Sequence, residues 1–350
     1  MSVSDATEAL AIGGDDDLQR VFRERGWTDG LPIIAPTRER VDAMLAGAWF
    51  GPADVLGVEP VKARMLTAEK VAINAVMAGC LPGDFPVVAT AVTALCRPEL
   101  LVHGATASTG GCAILLVVNG PIRHELGMSS AHSALAGPDR ASVCIGRAVR
   151  LVLRNLLDVR PGELDRSTLG HPGKLSWCVA EDEEGARPWQ PLAAERGVPD
   201  GVSAVTAFAA SGPRQIMNEW TTDPVEVLTT VVAEIRATML HYSIWAGNYA
   251  VVLPPQLCAV FHGAGWSKGD VRQFVYDHAV VQRSDWEAVG KAAVVTDTNR
   301  HRQYRALPSP EHLLVVTAGG EAGGFAAVIP PWLGPKSAAV TEPIGVCVEC

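Results

Sequence analysis

A short buried strand followed by a proline-containing helix start occurs twice in this chain, and this order constrains the fold more than any other feature. "AILLVV" (113–118) is an apolar run rich in branched residues, and Asn119-Gly120-Pro121 follows it. "NYAVVLPPQLCAVFHGAG" (248–265) repeats strand, proline and helix. Such apolar runs between turn residues are typical of buried strands, and proline is tolerated in the first helical turn. The sequence therefore predicts an α/β protein with helices packed on mixed sheets.

The repeated order also suggests two similar lobes that arose by internal duplication. This hypothesis divides the chain into five parts: a disordered N-terminal segment (1–17), a first α/β lobe (18–160), a functional loop region (161–200), a second α/β lobe (201–333) and a C-terminal tail (334–350).

Charge and composition restrict the partners of the protein. The net charge is −9 and no Lys/Arg cluster is present, which argues against nucleic acid and against anionic membranes. Apolar residues make up 48% of the chain and charged residues 19%, so we expect a homo-oligomer that binds a small-molecule substrate or a protein partner. Neither a secretory signal nor a run of ~18 apolar residues is evident, which predicts a cytoplasmic protein with reduced cysteines.

The densest group of reactive side chains lies in "PGELDRSTLGHPGKLSWCVAEDEEGARPWQPLAAERG", residues 161–197. Glycines and prolines separate the reactive residues, as in a functional loop. A thiol beside His and Lys has a lowered pKa and becomes a nucleophile. This segment supplies five of the predicted catalytic residues: Cys178 as nucleophile, His171 as acid or base, Lys174 as anion holder, and Glu181 and Glu184 as proton-transfer groups. The alternative is a solvated acidic loop with one buried cysteine.

Residues outside the loop complete the predicted site. Cys80 is a sixth catalytic candidate, although a helix C-terminus raises a thiol pKa and favours a packed residue there. Asn74 lies in the same apolar helix and needs a hydrogen-bond partner. Asn119 and Arg123 lie at a helix start that is able to hold an anion. Arg147 belongs to an arginine stripe that either binds substrate or forms an ion-paired subunit face.

The chain ends in "TEPIGVCVEC", where Cys347 and Cys350 form a C-x-x-C pair. Two thiols at this spacing form a disulfide or chelate one soft metal ion, so they are predicted to be accessory redox groups, with an inert terminus as the alternative. A metal site is a further hypothesis. Its candidate ligands are His103, Cys80, Cys178, Cys347 and Cys350, and the bound cofactor would be a transition metal. The alternative is that the protein has no cofactor and that its thiols act alone.

Several blocks resemble an uncharacterised bacterial family that is found beside, or fused to, the short Sec/Cys proteins named after a UGSC motif. The blocks are "WTDGLPIIAPT", "EKVAINAVMAGC", "VVNGPIRHELG", "IGRAVRLVLRN", "STLGHPGKLSWCVAEDEEGARPWQPLAAERG", "GWSKGDVRQF" and "SPEHLLVVTAGG" with "GFAAVIPPW" and "AVTEPI". The resemblance implies thiol or selenol chemistry and a UGSC-motif redox partner. Cys347 and Cys350 lie beyond the last block, so no family role extends to them.

The sequence thus leads to three functional hypotheses. The first is an enzyme of sulfur or thiol-redox chemistry, an oxidoreductase or lyase that forms, cleaves or reduces a carbon–heteroatom bond of a small molecule. The second is a Cys/His metalloenzyme or soft-metal-binding protein. The third is a non-catalytic scaffold subunit for a UGSC-type redox partner.

Overall fold

Two four-stranded sheets stack face to face, and each carries helices on its outer face. The computed structural model describes residues 3–242, 246–321, 323–332 and 337–345. Side chains from both sheets, among them Leu115, Phe208, Val252 and Val316, share one apolar cluster between the sheets. Each sheet also packs on its own helices through one further apolar cluster. The described chain is therefore an α/β sandwich of four layers, which confirms the predicted fold class.

The helices in the described residues are α1 (Val3–Glu24), α2 (Arg38–Ala46), α3 (Ala68–Ala78), α4 (Phe85–Cys96), α5 (Val102–Ala107), α6 (Ile122–Glu125), α7 (Arg140–Leu156), α8 (Leu192–Glu195), α9 (Pro224–Tyr242), α10 (Pro255–Gly263), α11 (Lys268–His278) and α12 (Asp285–Ala288). The strands are β1 (Val55–Glu59), β2 (Arg64–Thr67), β3 (Ala113–Asn119), β4 (Cys178–Ala180), β5 (Ala204–Ala210), β6 (Arg214–Met217), β7 (Tyr249–Leu253), β8 (Val280–Gln282), β9 (Gln303–Arg305), β10 (Leu313–Thr317), β11 (Phe325–Ile329) and β12 (Val340–Pro343).

The two large sheets share one succession of parallel and antiparallel strand pairs, although the order of the strands along the chain differs. In the first sheet the order is β12-β5-β3-β4, with β3 and β4 parallel and the other pairs antiparallel. In the second the order is β6-β11-β7-β10, with β7 and β10 parallel and the other pairs antiparallel. The outer strands do not correspond along the chain, since β12 is the last strand of the first sheet and β6 is the first strand of the second, so internal duplication stays a prediction.

The first sheet crosses the predicted lobe boundaries. β5 begins beyond residue 201, in the predicted second lobe, yet it pairs with β3 of the first sheet. β12 lies in the predicted tail and pairs with β5. β6 joins the second sheet although it follows β5 directly in the chain. The first sheet thus takes two of its four strands, β5 and β12, from beyond residue 200, whereas all four strands of the second sheet lie within 201–333.

The first helix covers part of the segment that the sequence predicts to be disordered. α1 includes Gly14 in a non-helical conformation with φ 67° and ψ −149°, which separates two helical segments. Leu18 and Phe22 of the second segment are fully buried in the core of the first sheet. Their burial packs this helical segment against the core of the first sheet.

Among the described residues, none of the helices taken singly is long and apolar enough to cross a membrane; one bent pair, Pro82–Cys96 with Pro98–Ala107 at 72°, meets the length and composition criteria.

A buried ion pair lies where the two sheets meet. Glu181 follows β4, is 0% exposed, and its Oε1 lies 3.4 Å from Nζ of Lys268, which is 3% exposed and begins α11. Asn119 Nδ2 and the Leu192 N–H donate to Glu181 Oε2 at 2.6 and 2.7 Å. The Thr317 N–H, at the end of β10, donates to Oε1 at 3.4 Å. One carboxylate therefore connects both sheets and α11.

A backbone hydrogen bond and further contacts of Lys268 complete the connection between the two sheets. The Asp182 N–H donates to the Thr317 carbonyl at 2.7 Å, which links the segment after β4 to the last residue of β10. Lys268 Nζ donates to the Gln190 carbonyl at 2.7 Å and lies 3.4 Å from Glu195, which pairs with Arg272 at 2.7 Å. Buried charges are tolerated only when paired and hydrogen-bonded, and both conditions are met here.

Replacing Lys268 by Met is expected to lower the free energy of unfolding by about 3–5 kcal/mol, because the Glu181 charge stays buried without its cation. The double variant E181Q/K268M is expected to lose less than the sum of the single variants, by about 0.5–3 kcal/mol. Urea unfolding followed by circular dichroism measures both. Lys62→Met, at an exposed position, is the control. Equal urea midpoints for K268M and K62M would show that the buried pair does not stabilise the fold.

Candidate functional site

The carboxyl ends of the parallel strands β3 and β4 bring several polar side chains to one edge of the first sheet. Leu116 is paired with Cys178, so Asn119 and Glu181 follow at the same edge. Gly120 then turns the chain with φ 86°, and a Cβ there would lie 2.5 Å from Ser203 Cα. Only glycine combines this conformation with such a close approach. The turn therefore fixes where α6 begins beside the acidic run that follows β4.

Arg123 in α6 is the buried cation of this edge and is 3% exposed. Its Nε donates to the Gly120 carbonyl at 3.0 Å, and another guanidinium nitrogen donates to the Glu181 carbonyl at 2.5 Å. The guanidinium also lies 3.1 Å from Glu183 and 3.2 Å from Glu184. Arg123 thus holds the turn after β3 against the acidic run, which fits the geometry of an arginine fork.

Glu183 connects this arginine to the end of β3. Its Oε1 accepts hydrogen bonds from Asn119 Nδ2 at 2.9 Å and from the Gly120 N–H at 2.6 Å. Its other oxygen faces Arg123. With three partners, the Glu183 carboxylate has a fixed orientation.

Glu184 and His124 form the exposed part of the site. His124 Nε2 lies 3.2 Å from Glu184 Oε1, and both side chains are more than half exposed. Burial acts to raise the pKa of Glu184, but hydrogen bonds from Arg123 and His124 outweigh it and lower the pKa to about 2. The ionised carboxylate orients the imidazole by accepting from Nε2, which leaves Nδ1 available for a proton transfer.

These groups line a pocket of about 240 Å³, which we call the carboxyl-end pocket. Its walls include Asn119, Arg123, His124, Glu183 and Glu184 on one side and the loop 198–202 on the other. Asn119 is 1% exposed, and its Oδ1 is buried without a hydrogen-bond partner among the described residues. Buried polar atoms nearly always have a partner, so this acceptor is suited to a donor group of a bound molecule.

The predicted catalytic residues do not form one site. His171 and Lys174 lie near the opposite, amino end of β3, where Lys174 lines a cavity with Cys112. β3 has seven residues, so its two ends are about 20 Å apart. Only Glu181 and Glu184 of the predicted catalytic set, with Asn119 and Arg123 of the predicted binding set, gather at the carboxyl end.

The hydrogen bonds of His171 and Lys174 show that both side chains stabilise the loop in which they lie. Lys174 Nζ donates to Asp165 and to Ser167, each at 2.7 Å. His171 Nδ1 accepts from the Gly173 N–H at 3.2 Å, and Nε2 lies 3.3 Å from the Ala210 carbonyl. The ring packs edge-on against Trp177, with 5.1 Å between ring centroids. His171 thus contacts the end of β5, while Lys174 connects two parts of its own loop.

Cys178 does not have the environment that the sequence predicts for a nucleophile. It is the first residue of β4, 3% exposed, in the core between the first sheet and its helices. Burial raises the pKa of its thiol well above the usual range, and the charges of Asp139 and Asp84 raise it further. A protonated thiol in an apolar core is a poor nucleophile, so this geometry contradicts the proposed role.

Cys80 is likewise packed and 7% exposed. Burial raises its thiol pKa well above the usual range, with a further increase from Asp84. Asp84 is fully buried and paired with Arg140 at 2.5 Å. The packed-residue alternative for Cys80 thus agrees with the structure, and the catalytic alternative does not.

The remaining predicted residues lie apart from the carboxyl-end pocket. Asn74 is fully buried and accepts from Asn155 Nδ2 at 2.7 Å, and Arg147 pairs with Asp29 at 2.8 Å. Within the described residues, no group of three or more His, Cys, Asp or Glu side chains is placed to hold a metal, so neither His103 nor the described cysteines form such a group. Cys347 and Cys350 lie outside the described residues.

Three important residues were not in the predicted set. Glu183 and His124 complete the carboxyl-end pocket, and Lys268 lies on the far side of Glu181. A signal for the first two is present in the sequence, because "EDEE" directly follows one strand and "NGPIRHE" follows another. Lys268 has no such signal, since it comes from a helix 87 residues after Glu181.

The chain matches no family model and no curated protein. The resemblance to the UGSC-associated family therefore stays a prediction.

Thiol reactivity tests the buried cysteines. Six of the eight cysteines are described, and burial raises the pKa of each thiol, to about 12 for Cys96 and Cys112 and about 11 for Cys258. In a C347S/C350S variant, alkylation by iodoacetamide is expected to be slow at neutral pH and to keep rising beyond pH 9. Peptide mass spectrometry after timed quenching gives the rate at each cysteine. A plateau near neutral pH at Cys178 would contradict the burial argument.

The pH dependence of stability tests His171. Burial lowers the pKa of its imidazole, partly offset by the hydrogen bond to Ala210. Its folded-state pKa thus lies below the unfolded value of about 6.5, so the stabilising effect is present above that value and is lost as the pH falls through the folded pKa. Wild type is expected to lose more unfolding free energy between pH 7 and pH 5 than His171→Asn, measured with urea. His301→Asn, at an exposed position, is the control and should follow wild type.

Proposed function

We propose that this protein is an enzyme that binds a small polar molecule in the carboxyl-end pocket and transfers a proton to or from it. The observation that carries the proposal is the unpartnered, buried Asn119 Oδ1 beside the His124–Glu184 pair. Carboxyl ends of parallel strands are common ligand sites in α/β proteins. A pocket with an orphan acceptor and an oriented imidazole supplies both binding and acid–base groups.

The roles follow from the contacts. His124 is the acid–base group, and Glu184 holds its Nε2 side. Asn119 Oδ1 accepts a hydrogen bond from the bound molecule, while Arg123 and Glu183 keep the turn and the acidic run in place. Glu183, Glu184 and Asp200 outnumber the single guanidinium among the charged lining groups, so the pocket favours a molecule with hydroxyl or amino donors over an anion. Glu181 positions Asn119 from beneath.

The thiol-redox hypothesis now depends on Cys347 and Cys350. The six described thiols are buried or half-buried and have raised pKa values, which does not support a thiolate among them. The metal hypothesis finds no ligand group in the described part of the chain. The scaffold hypothesis stays a prediction, and copurification of this protein with a UGSC-motif protein would test it.

Replacing His124 by Asn is expected to lower turnover by about 10²–10⁴-fold, because a positioned acid–base group contributes that much. Wild type and variant are incubated with a small-molecule extract, and untargeted mass spectrometry, with deuterium oxide as solvent, detects both new masses and exchanged protons. Glu184→Gln is expected to lower turnover less and to change its pH profile, because the imidazole loses its ionised partner.

His312→Asn is a matched control, since this histidine bonds to Ser309 and lies outside the carboxyl-end pocket. It should retain the wild-type rate. Identical product formation by wild type and the His124 variant would remove His124 from the mechanism. Absence of any mass change or deuterium uptake with wild type would contradict the enzyme proposal.

A further inference from the structure

A second pocket, of about 420 Å³, lies where α7 ends beside the start of α3. Its walls include Trp27, Arg64, Lys70, Asn155 and Arg160, and we call it the basic pocket. α7 has 17 residues, so its ends are about 25 Å apart. Asp139, which caps the other end of α7, accepts from the Ser129 N–H near α6 and the carboxyl-end pocket. The two pockets are therefore separate.

The lining of the basic pocket carries a surplus of positive charge. Three of its residues are cationic and none is acidic. Arg64 is paired with Asp158 and donates to the Leu156 carbonyl at 2.9 Å. Lys70 and Arg160 form no ion pair with any residue that the structure describes. In a protein with a net charge of −9, such a local surplus favours an anion.

Two buried polar atoms of the same pocket residues have no hydrogen-bond partner in the described chain. They are the acceptor Asn155 Oδ1 and the donor Arg160 Nε. The orientation of the Asn155 amide is fixed, because its Nδ2 donates to the Trp27 carbonyl at 2.8 Å and to Asn74 Oδ1 at 2.7 Å. Asn74 is itself fixed by donating to the Lys70 carbonyl at 2.8 Å. A ligand with both a donor and an anionic group would satisfy the two atoms.

Stabilisation of the α7 dipole accounts for only part of this arrangement. Cations near a helix C-terminus are favourable, and Arg64 fulfils this role at the Leu156 carbonyl. Lys70, however, lies in the first turn of α3, where the helix dipole does not favour a cation. Arg160 Nε donates to no described group. These two side chains point to a ligand instead.

We propose that the basic pocket binds a small hydroxy acid with two negative charges. Arg160 and Lys70 hold its anionic oxygens, and its hydroxyl donates to Asn155 Oδ1. Charge-assisted hydrogen bonds supply the affinity, and the hydroxyl supplies selectivity, because an analogue without it leaves a buried acceptor unpaired. Carboxylate and phosphate share this anionic chemistry.

Isothermal titration calorimetry with malate, succinate and 3-phosphoglycerate tests the proposal on the full-length protein. Malate and succinate differ only in the hydroxyl, so malate is expected to bind at least about tenfold more tightly. Comparison of malate with 3-phosphoglycerate distinguishes a carboxylate from a phosphate preference. Arg160→Gln and Lys70→Gln are each expected to weaken binding of the preferred probe by about tenfold or more.

Arg236→Gln, at an exposed position on α9, is the matched control and should bind as wild type does. Thermal unfolding of each variant checks folding, and the exposed Lys70 keeps the test valid if Arg160→Gln is unstable. Equal affinities in the Lys70 and Arg236 variants would overturn the proposal. So would the absence of binding by all three probes at millimolar concentration, or equal affinities for malate and succinate.

Discussion

The buried ion pair between Glu181 and Lys268 is the interaction on which the rest of the architecture depends. Glu181 directly follows the short parallel strand β4 of the first sheet, and Lys268 begins a helix that packs on the second. Neither charge has access to water, so each requires the other and the surrounding hydrogen bonds. A pair of this kind holds the two sheets in one relative position, because a shift of either sheet would separate a charge from its partner.

This constraint also determines the shape of the carboxyl-end pocket. Asn119 donates to both Glu181 and Glu183 through one amide nitrogen, which directs Oδ1 away from these carboxylates. Arg123 then binds the acidic run from the other side. Residues that look like separate reactive groups in the sequence thus act as a rigid support. The exposed His124, oriented by the ionised Glu184, is the group that we propose transfers a proton.

Burial explains why the cysteines differ from their expected role. Desolvation is the largest cause of the raised pKa at each described cysteine, and charged neighbours change it less. His171 and Lys174 lie close to Cys178 in the sequence, but they belong to a turn whose hydrogen bonds go to Asp165, Ser167 and Ala210. Nearness in sequence places charges near a thiol only when the intervening chain turns back, and here it continues into β4.

Local sequence patterns are sufficient to predict the class of the fold, several of its elements and the polar character of the strand ends. The branched runs at β3 and β7 are strands, because these features depend on local sterics and hydrogen bonds. The partner of each strand, including the pairing of β12 with β5, and the pairing of the buried charges become visible only in the folded chain. Lys268 is 87 residues from Glu181 and the site residues divide between opposite ends of β3. Long-range packing sets both, because burial and pairing depend on distances that no local pattern encodes.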